Sequence, residues 1–469
     1  MSTTLGLTPH HEKLLHDAMR WAAGSPFDPA HARKCRRDVL HRNHRHYRSR
    51  IPLYRQIADR AGLNDDASFD ALAHSMLLPD GIFKSYPQSL LDNRDFAAMN
   101  RWLRTIFHDE VQAPVDELET LDDWLASLDD RGIHAVYSSG TSGNLSFVPR
   151  DAYSWWLLRE GPLHYAPLLL ARRGVVGRVK APLAAFAGRT LSPARFMQIF
   201  KRLGFGGFDG IFLTFSGGNQ GTQLVGQELA KRVRKASFLY PTKISATAIR
   251  ALTRGQASPA ERAWTDTFLD ATVRRKEENY ERMIRATRTA IDDGQRLMVF
   301  GAPYQVKEFC ERILAGGKQM VLPAGSIVGY GGGWKTFDGE ALTERALLDL
   351  IERAVGVKKQ FVIEAYSMTE IGAIMMKCEH GRFHVPPHLE TIILDDALEP
   401  VDGEDVTGTL GVMDPFAVSY PGFLITGDNV HRSRSLCPCG LDGETILSVS
   451  RAQGAEVKGC GGIIATVNA

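Results

Sequence analysis

The sequence predicts an α/β protein with a mainly helical N-terminal region and a small β-rich region near its C-terminus. Three observations carry this prediction: apolar residues at helical spacing over 9–62, apolar strands that alternate with helical segments over 131–380, and short alternating segments with turns over 381–450. Strands that alternate with helices form parallel sheets, which bind ligands beyond the carboxyl ends of their strands. We therefore expect the ligand-binding residues in the loops that follow those strands.

The N-terminal region, residues 1–130, is predicted to be mainly helical. One helix face is formed by Leu14, Leu15, Ala18, Met19 and Ala22. A basic run interleaved with histidines follows, and it is either a solvated helix face or a patch for nucleic acid or an acidic partner. The run contains Arg33, Lys34, Arg36, Arg37, Arg42, Arg45, Arg48 and Arg50, with His41, His44 and His46.

The α/β core is predicted over residues 131–380. Its strands are expected near 211–215, 297–300, 326–330 and 360–366, and helices near 151–170, 221–235 and 304–315, with a short acidic helix over 118–131 leading into it. Turns such as Val401-Asp402-Gly403 mark a β-rich subdomain over 381–450. Residues 451–469 form a shortened hinge and a tail rich in glycine.

Composition excludes several classes of protein. Of the 469 residues, 44% are hydrophobic and 23% are charged, which is the balance of a globular protein. A net charge of +2 is too small to argue for nucleic acid or an anionic membrane as a partner. No apolar run approaches the roughly 18 residues of a membrane span, and the N-terminus lacks the apolar segment of a signal peptide. A cytoplasmic protein is expected.

A loop rich in hydroxyls and glycine follows the apolar residues 133–136. It contains Ser138, Ser139, Gly140, Thr141, Ser142 and Gly143. Glycine lets backbone N–H groups fold around an anion, and the hydroxyls can donate to phosphate oxygens. Asn144 and Leu145 stand where a Walker A loop requires other residues, so the loop is not of that kind. Taken alone, it is either a phosphate-binding loop or an ordinary surface turn.

Three later loops supply the other parts of an ATP site. Gly331, Gly332 and Gly333 would let a flat ring lie against the backbone. The segment 366–370 supplies an aromatic ring, a hydroxyl and a carboxylate, and Asp428 follows a Thr-Gly turn from which it can accept both hydroxyls of a ribose. Together with the first loop they form a phosphate, adenine, ribose and Mg²⁺ site.

The order of these motifs resembles the adenylate-forming superfamily of acyl- and aryl-CoA synthetases. Residues 138–143, 366–370 and 426–428, followed by Arg451, look like its core motifs. The chain is most similar to the LuxE-like acyl-protein synthetases, with the phenylacetate-CoA ligase group next. Ile82-Phe83-Lys84-Ser85, Phe300-Gly301-Ala302-Pro303, the stretch 331–335 and the tail 458–461 carry this similarity, which covers most of residues 50–469.

The resemblance implies a large adenylate-forming domain that activates a carboxylic acid with ATP and Mg²⁺. It implies that Ser138, Ser139, Gly140, Thr141, Ser142 and Gly143 hold the β- and γ-phosphates, that Thr369 contacts the α-phosphate, that Glu370 holds Mg²⁺, that Gly332, Gly333, Tyr366, Ser367 and Met368 frame adenine, and that Asp428 and Arg451 hold the ribose. Catalysis would then rest on alignment and on charge neutralisation at the phosphates.

The sequence departs from the superfamily pattern in two places. A lysine usually follows the last glycine of the phosphate loop, whereas the first basic residue here is Arg150. The superfamily also has a C-terminal lid domain with a catalytic lysine, and the chain continues for only 41 residues after Asp428. We therefore expect that the lid is largely absent and that Lys458, Lys335 or a second protein takes the place of its lysine.

Cys460 is the predicted acyl acceptor. It lies among glycines near Lys458, and a nearby cation favours the nucleophilic thiolate. In the acyl-protein synthetases, which Cys460 matches in placement, a cysteine near the C-terminus takes the acyl group as a thioester and passes it to a partner protein, such as a reductase or a carrier protein. The alternatives are an incidental thiol, transfer to CoA, a carrier-protein thiol or an amine, and a nucleotide-binding partner protein without chemistry of its own.

The other cysteines suggest a structural metal. Cys378, His384, Cys437 and Cys439 supply a set of ligands that suits a tetrahedral zinc ion, with His380 as a competing ligand. Some phenylacetate-CoA ligase-like proteins have a similar arrangement. Cys35 and Cys310 are predicted to be thiols of helices or of the core.

The acid itself is not predicted. Its pocket is expected along 211–219, 300–304 and 330–334, with Phe215, Trp334 and Met368 as apolar candidates that fit the core equally well.

Overall fold

A computed structural model describes residues 7–25, 28–139, 144–174, 186, 189–196, 207–255, 257–334 and 341–451. Its helices are α1 (Pro9–Ala22), α2 (Pro29–Arg50), α3 (Pro52–Arg60), α4 (Phe69–Ser75), α5 (Gln88–Asp92), α6 (Phe96–Ile106), α7 (Leu121–Asp130), α8 (Ala152–Glu160), α9 (Ala166–Arg172), α10 (Gly221–Ala230), α11 (Ala246–Arg254), α12 (Pro259–Leu269), α13 (Lys276–Asp292), α14 (Pro303–Ala315) and α15 (Glu344–Val355). No helix among these described residues is long and apolar enough to cross a membrane.

The strands are β1 (Leu78–Pro79), β2 (His134–Ser139), β3 (Leu145–Arg150), β4 (Phe208–Gly217), β5 (Lys235–Lys243), β6 (Arg296–Gly301), β7 (Ile327–Gly331), β8 (Val362–Tyr366), β9 (Met375–Lys377), β10 (Phe383–His384), β11 (Glu390–Leu394), β12 (Pro400–Val401), β13 (Asp405–Met413), β14 (Phe423–Ser433) and β15 (Thr445–Arg451). One sheet contains 13 of the described strands in the order β12-β11-β13-β14-β15-β10-β9-β8-β7-β6-β4-β5, with β1 beside β14. Strands β2 and β3 form a separate antiparallel pair.

The large sheet is parallel in its α/β half and antiparallel beyond β8, apart from the short strand β1, which pairs with β14 in parallel. Neighbouring strands from β5 to β8 run parallel, whereas β9 pairs with β8 in the opposite direction and the sheet continues antiparallel to β12. The predicted α/β character and the β-rich C-terminal segments are confirmed. The strands of 381–450 belong to the same sheet as those of 131–380, so the sheet itself does not mark a boundary at 381. The division into domains there remains a prediction.

Both faces of the parallel strands are buried, as a parallel sheet requires. Residues alternate between the faces with the period of two that a strand imposes. Ile211, Leu213 and Phe215 face one core, whereas Phe212 faces a second core that contains apolar residues of α1 and α9. This alternation places helices on both sides of the sheet and leaves its loops to form the site.

The N-terminal helices pack on the body of the protein. Thr8 caps α1 by accepting from the His11 N–H, and the predicted apolar face of α1 is buried. His11 Nε2 lies 3.1 Å from the Pro415 carbonyl oxygen, and Asn43 Nδ2 donates to the same oxygen at 3.0 Å. These helices therefore fix the segment near 415.

Part of the basic run on α2 forms ion pairs with carboxylates of the same chain. Arg36 and Arg37 reach Glu390, and Arg48 reaches Asp59 and Asp65 at 2.9 and 2.6 Å. Such pairs are typical of a solvated, charge-balanced helix face. The alternative, a patch for nucleic acid or an acidic partner, stays a prediction.

Three predicted helices are shorter than expected. The helix predicted near 151–170 is interrupted by a 3₁₀ turn, Gly161–His164, because Pro162 cannot donate a backbone hydrogen bond to a continuous α-helix. The helix predicted near 221–235 ends at Ala230, and β5 begins at Lys235. The helix predicted over 118–131 begins only at Leu121, where Thr120 and Asp123 form a capping box.

Candidate active site

Two of the predicted loops meet because they follow adjacent parallel strands. Gly331 at the end of β7 lies opposite Ala365 near the end of β8, so the glycines and the segment 366–370 leave the same edge of the sheet. A Cβ on Gly331 would lie 2.9 Å from the Ala365 carbonyl oxygen, which makes glycine necessary there. Gly332 and Gly333 have φ of +87° and +68°, in the left-handed region that glycine favours.

Tyr366, Asp428 and Arg451 form a hydrogen-bonded group beside these loops. The Tyr366 hydroxyl donates to Asp428 Oδ2 at 2.7 Å, and Arg451 Nη1 donates to Asp428 Oδ1 at 3.0 Å. The antiparallel register of β14 and β15 places Asp428 directly opposite Arg451. Burial, followed by the Asp428 carboxylate, raises the pKa of Tyr366 well above its ordinary value, which keeps the hydroxyl protonated as a donor.

This group has unused hydrogen-bonding capacity. Each Asp428 oxygen accepts one bond and can accept another. Arg451 Nε and Nη2 are buried and have no hydrogen-bond partner within the described part of the chain. The group can therefore bind a ligand that offers both donors and acceptors, such as a pair of hydroxyls.

Thr369 and Glu370 form the second cluster. The Thr369 hydroxyl donates to Glu370 Oε2 at 2.9 Å, and the Tyr420 hydroxyl donates to the Glu370 backbone carbonyl at 2.9 Å. Glu370 is 4% exposed. A buried carboxylate with a fixed backbone is suited to a hard cation such as Mg²⁺, which prefers oxygen ligands.

Arg150 holds the backbone of this cluster. It is fully buried, donates from Nη2 to the Thr369 carbonyl oxygen at 2.8 Å, and lies 4.5 Å from the centre of the Tyr420 ring. In the sequence, Arg150 is the first basic residue after the predicted phosphate loop, where the superfamily usually has a lysine. In the structure its described contacts are with the 369–370 loop and Tyr420, which are contacts of a positioning residue.

Asp414 is a positioning residue that sequence reasoning missed. Its carboxylate accepts from the Gly372 N–H at 2.6 Å and from the Phe416 N–H at 2.9 Å, and it is fully buried. Burial raises its pKa. Because Asp414 follows β13, far from 372 in sequence, no local motif marks it. It joins the segment held by the N-terminal helices to the loop that carries Glu370.

The predicted phosphate loop connects β2 and β3 in the sequence, and the pairing of these strands brings Ser138 opposite Ser146. The Ser138 hydroxyl is buried and has no hydrogen-bond partner among the residues described. Ser139 ends β2. The predicted residues Gly140, Thr141, Ser142, Gly143, Lys335, Lys458 and Cys460 lie outside the described residues.

A cavity of about 320 Å³ connects several of these groups. The loops contribute Ser138, Gly331, Gly332, Gly333, Ser367, Met368, Thr369 and Glu370 to its wall. Of the predicted apolar candidates, Phe215 and Met368 line the cavity, whereas Trp334 is not part of its wall and packs against the main core. The loops expected at 300–304 and 330–334 contribute Phe300, Ala302, Tyr304 and Tyr330.

The predicted zinc ligands converge at a second site. The ligand atoms of Cys378, His384, Cys437 and Cys439 all lie within 4.8 Å of one another. Cys378 Sγ and Cys437 Sγ are 3.7 Å apart, and Cys439 Sγ is 3.3 Å from His384 Nε2. Tetrahedral Zn–S bonds of about 2.3 Å place two sulfurs roughly 3.8 Å apart, so the spacing fits zinc. Of the remaining cysteines, Cys35 lies in α2 and Cys310 in α14, and both are buried.

The Cys/His cluster is connected through the sheet to the hydrogen-bonded group that contains Asp428 and Arg451. Cys437 and Cys439 lie in the connection between β14 and β15, the strands that carry Asp428 and Arg451. His384 lies in β10, which pairs with β15. A metal held by these four side chains would therefore fix the hairpin that pairs Asp428 with Arg451.

Comparisons with known proteins address fold and family. A family model described as "Acyl-protein synthetase, LuxE" matches residues 222–467, just over half of the chain. The match includes the loops at 331–333, 366–370 and 426–428 and begins after the phosphate loop. No curated protein matches the chain.

Solved structures share the fold at low identity. An open conformation of 2-hydroxyisobutyryl-CoA ligase with 2-HIB-AMP and CoA is 14% identical, with a TM-score of 0.50 over 88% of this chain and 73% of that one. The postadenylation state of the same ligase is 15% identical, with a TM-score of 0.49 over 88% and 66%. ATP-bound MatB from Rhodopseudomonas palustris is 13% identical, with a TM-score of 0.30 over 64% and 46%.

The first of these structures confirms the predicted adenylate-forming fold, and the family model confirms the predicted resemblance. The chain belongs to the LuxE acyl-protein synthetase family and is an ATP-dependent, adenylate-forming carboxylate ligase.

Proposed function

We propose that this protein activates a carboxylic acid as an acyl-adenylate, releases pyrophosphate and transfers the acyl group to a thiol. The observation that carries the proposal is the convergence of separate loops on one cavity: Ser138 from the hairpin, Gly332 and Gly333 after β7, and Thr369 and Glu370 after β8. Groups for phosphate, a flat ring and a cation thus surround one space that continues into an apolar pocket.

ATP would bind across this edge of the sheet. The adenine would lie against Gly332 and Gly333, framed by Tyr366. The ribose hydroxyls would bind Asp428 and Arg451, which supports the assignment because those side chains keep unused acceptors and donors.

The triphosphate would extend toward Ser138, whose hydroxyl is buried at the cavity wall. The Thr369 hydroxyl would donate to the α-phosphate, and Glu370 would hold Mg²⁺, which neutralises phosphate charge when bound. Ser139 and the loop 140–143 are proposed to bind the β- and γ-phosphates.

The first reaction needs alignment rather than a protein nucleophile. An oxygen of the substrate carboxylate attacks the α-phosphorus, the new P–O bond forms as the bond to the β-phosphate oxygen breaks, and pyrophosphate leaves. Thr369 stabilises the charge that gathers on the α-phosphate oxygens. Arg150 and Asp414 hold the loop that carries Thr369 and Glu370, so the reacting groups stay in register.

In the second reaction a thiolate attacks the acyl carbon, and AMP leaves with the electrons of the broken C–O bond. We propose Cys460 as that thiolate and a partner protein as the next acceptor, on the basis of the family and the position of Cys460 in the sequence. CoA, a carrier-protein thiol or an amine is the alternative acceptor.

The test is ATP–pyrophosphate exchange with a panel of carboxylic acids. We expect exchange with at least one acid and a loss of about 10²-fold or more in Glu370→Gln, because the cation loses its anionic ligand. Glu352→Gln, at an exposed position of α15, is the matched control. Binding of ATP without exchange for any acid would instead support a nucleotide-binding partner protein.

Cys460→Ser separates the two reactions. We expect it to keep exchange and to lose the hydroxylamine-sensitive acyl label on the protein. An unchanged label would remove Cys460 as the acceptor, and transfer to added CoA or carrier protein would identify the alternative.

We also propose that Cys378, His384, Cys437 and Cys439 hold a structural zinc ion. The sulfur separation of 3.7 Å supports this, and four protein ligands leave no open position for substrate. Zinc content of the purified protein, with Cys437→Ala as the variant that should lose it, tests the assignment.

A further inference from the structure

The cavity extends along one face of α10. Gly221, Leu224, Val225 and Glu228 all line it, and their spacing of three, four and seven residues places them on a single helix face. At one end of the helix, a Cβ on Gly221 would lie 3.3 Å from Thr369 Cγ2. Glu228 is seven residues further on, which is roughly 10 Å at 1.5 Å per residue. Thr369 and Glu228 therefore line the cavity about two helical turns apart, and the parts beside them are called its near end and its far end.

Apolar side chains line much of the rest of the cavity. They include Leu158, Leu163, Leu170, Met298 and Phe300. This part of the wall suits an aliphatic chain, because burial of its methylenes is favourable.

The far end is charged. Arg159 and Glu228 both line the cavity, and Glu228 is 3% exposed. Glu228 accepts from Arg159, from Lys231 Nζ at 2.7 Å and from Arg232 Nη1 at 3.0 Å. Arg232 Nη2 also donates to both oxygens of Glu160, at 2.9 and 2.8 Å. Three cations thus share two carboxylates, and the cluster carries one unbalanced positive charge.

The three cations repel one another in addition to being partly desolvated. Burial, followed by the charges of Arg159 and Arg232, lowers the pKa of Lys231 to about 8. The Arg159 guanidinium lies 5.0 Å from the centre of the Trp155 ring, and its Nε is buried with no hydrogen-bond partner among the residues that the structure describes. An anion at this end would balance the charge and accept from Arg159.

We infer that the far end of the cavity is a subsite for a second carboxylate, so that the preferred substrate is a straight-chain dicarboxylic acid. This inference rests on the proposed function, because it places the reacting carboxylate at Thr369. An extended chain advances about 1.2 Å per bond, so roughly 10 Å corresponds to about eight bonds and a diacid of about nine carbons. The second carboxylate binds Arg159 and takes no part in the reaction.

A monocarboxylic acid of the same length would place a methyl group against Arg159. The guanidinium would then lose contact with water without gaining an acceptor, which is how a polar subsite rejects an analogue that lacks the matching group. The cost should appear as a lower kcat/KM for the monoacid.

The experiment compares nonanedioate with nonanoate in ATP–pyrophosphate exchange. For the unmodified protein we expect kcat/KM to favour nonanedioate by about 10- to 100-fold, the range of a hydrogen bond to a charged group. Arg159→Leu should remove most of this preference and leave nonanoate within about threefold or improved, because Lys231 and Arg232 still neutralise Glu228. Arg345→Leu, on a side chain that is 93% exposed, is the control and should change neither value.

Arg159→Lys keeps the charge and provides a second variant if Arg159→Leu does not fold. We expect it to retain part of the preference for nonanedioate. Equal use of the two acids by the unmodified protein would overturn the inference, and so would an equal loss for both acids in the Arg159 variants. No exchange with any mono- or diacid of five to twelve carbons would also overturn the inference, whereas only a lack of exchange with every acid of the wider panel, aromatic and longer-chain acids included, would overturn the proposed function.

Discussion

Substitution of Arg150 separates a positioning role from a direct contact with phosphate. Arg150→Met removes the hydrogen bond to the Thr369 carbonyl, which is 2.8 Å long, and the contact with the Tyr420 ring. A hydrogen bond from a charged donor contributes about 1.5–3 kcal/mol, and a desolvated cation–π contact about 2 kcal/mol. The two share one side chain and do not add fully. We expect the free energy of unfolding to fall by about 3 kcal/mol.

The same variant should lose activity because the loop that carries Thr369 and Glu370 moves, and not only because ATP binds more weakly. Displacement of Thr369 and Glu370 by about 1 Å is expected to lower kcat of exchange on the order of 10²-fold. Urea unfolding and saturating ATP–pyrophosphate exchange, measured on the same preparations, test both effects. Arg345→Met, at the exposed position on α15, is the matched control.

Arg150→Lys provides the refutation. Lysine keeps the positive charge but lacks the planar fork and the ring-stacking surface of arginine, so we expect it to restore little of the lost stability or kcat. If Arg150 instead replaced the phosphate-loop lysine, Arg150→Lys would have normal exchange, and Arg150→Met would raise KM for ATP without a loss of stability. That pair of results would contradict the positioning role.

Three further predictions concern other parts of the molecule. Asp428→Asn should raise KM for ATP by about 10-fold or more, because the protein loses the anionic acceptor that binds Arg451 and that we propose for the ribose hydroxyls. An unchanged KM would exclude the ribose assignment. Removal of zinc by a chelator should destabilise the protein and raise KM for ATP, since the cluster lies between β14 and β15, and Cys437→Ala should no longer respond to the chelator. Burial lowers the pKa of His388 to about 3, so the unfolded chain binds the extra proton and stability should fall as pH drops from about 6.5 toward 3. His388→Phe should make that dependence shallower in urea unfolding at pH 7 and pH 5, and an unchanged slope would show that other groups cause it.

The N-terminal helices contribute to the site although they lie before the family match. Asn43 and His11 hold the Pro415 carbonyl, and Asp414 beside it holds the Gly372 N–H. The segment 414–415 thus contacts both the helices α1 and α2 and the loop after β8. These contacts give the two helices a structural role beside the candidate site.

Local patterns in the sequence predicted the α/β order, the glycine and hydroxyl loops, and the four side chains of the Cys/His cluster. These features can be predicted locally, because a strand or helix period, a turn residue and a potential ligand side chain are each recognised within a few sequence positions. The loops after β7 and β8 were placed together correctly because parallel strands end at the same edge of the sheet.

Only the tertiary structure identified Arg150 and Asp414 as supports of the 369–372 loop, and Arg159 and Glu228 as a charged end of the cavity. Each of these side chains acts on a residue that lies 42 or more positions away in the chain. The role of a buried charged side chain depends on the groups that surround it in space, and the residues next to it in the sequence do not indicate which groups those are. The sequence by itself therefore predicted which chemical groups the loops carry, whereas the packing decided which residues hold those loops and line the pocket.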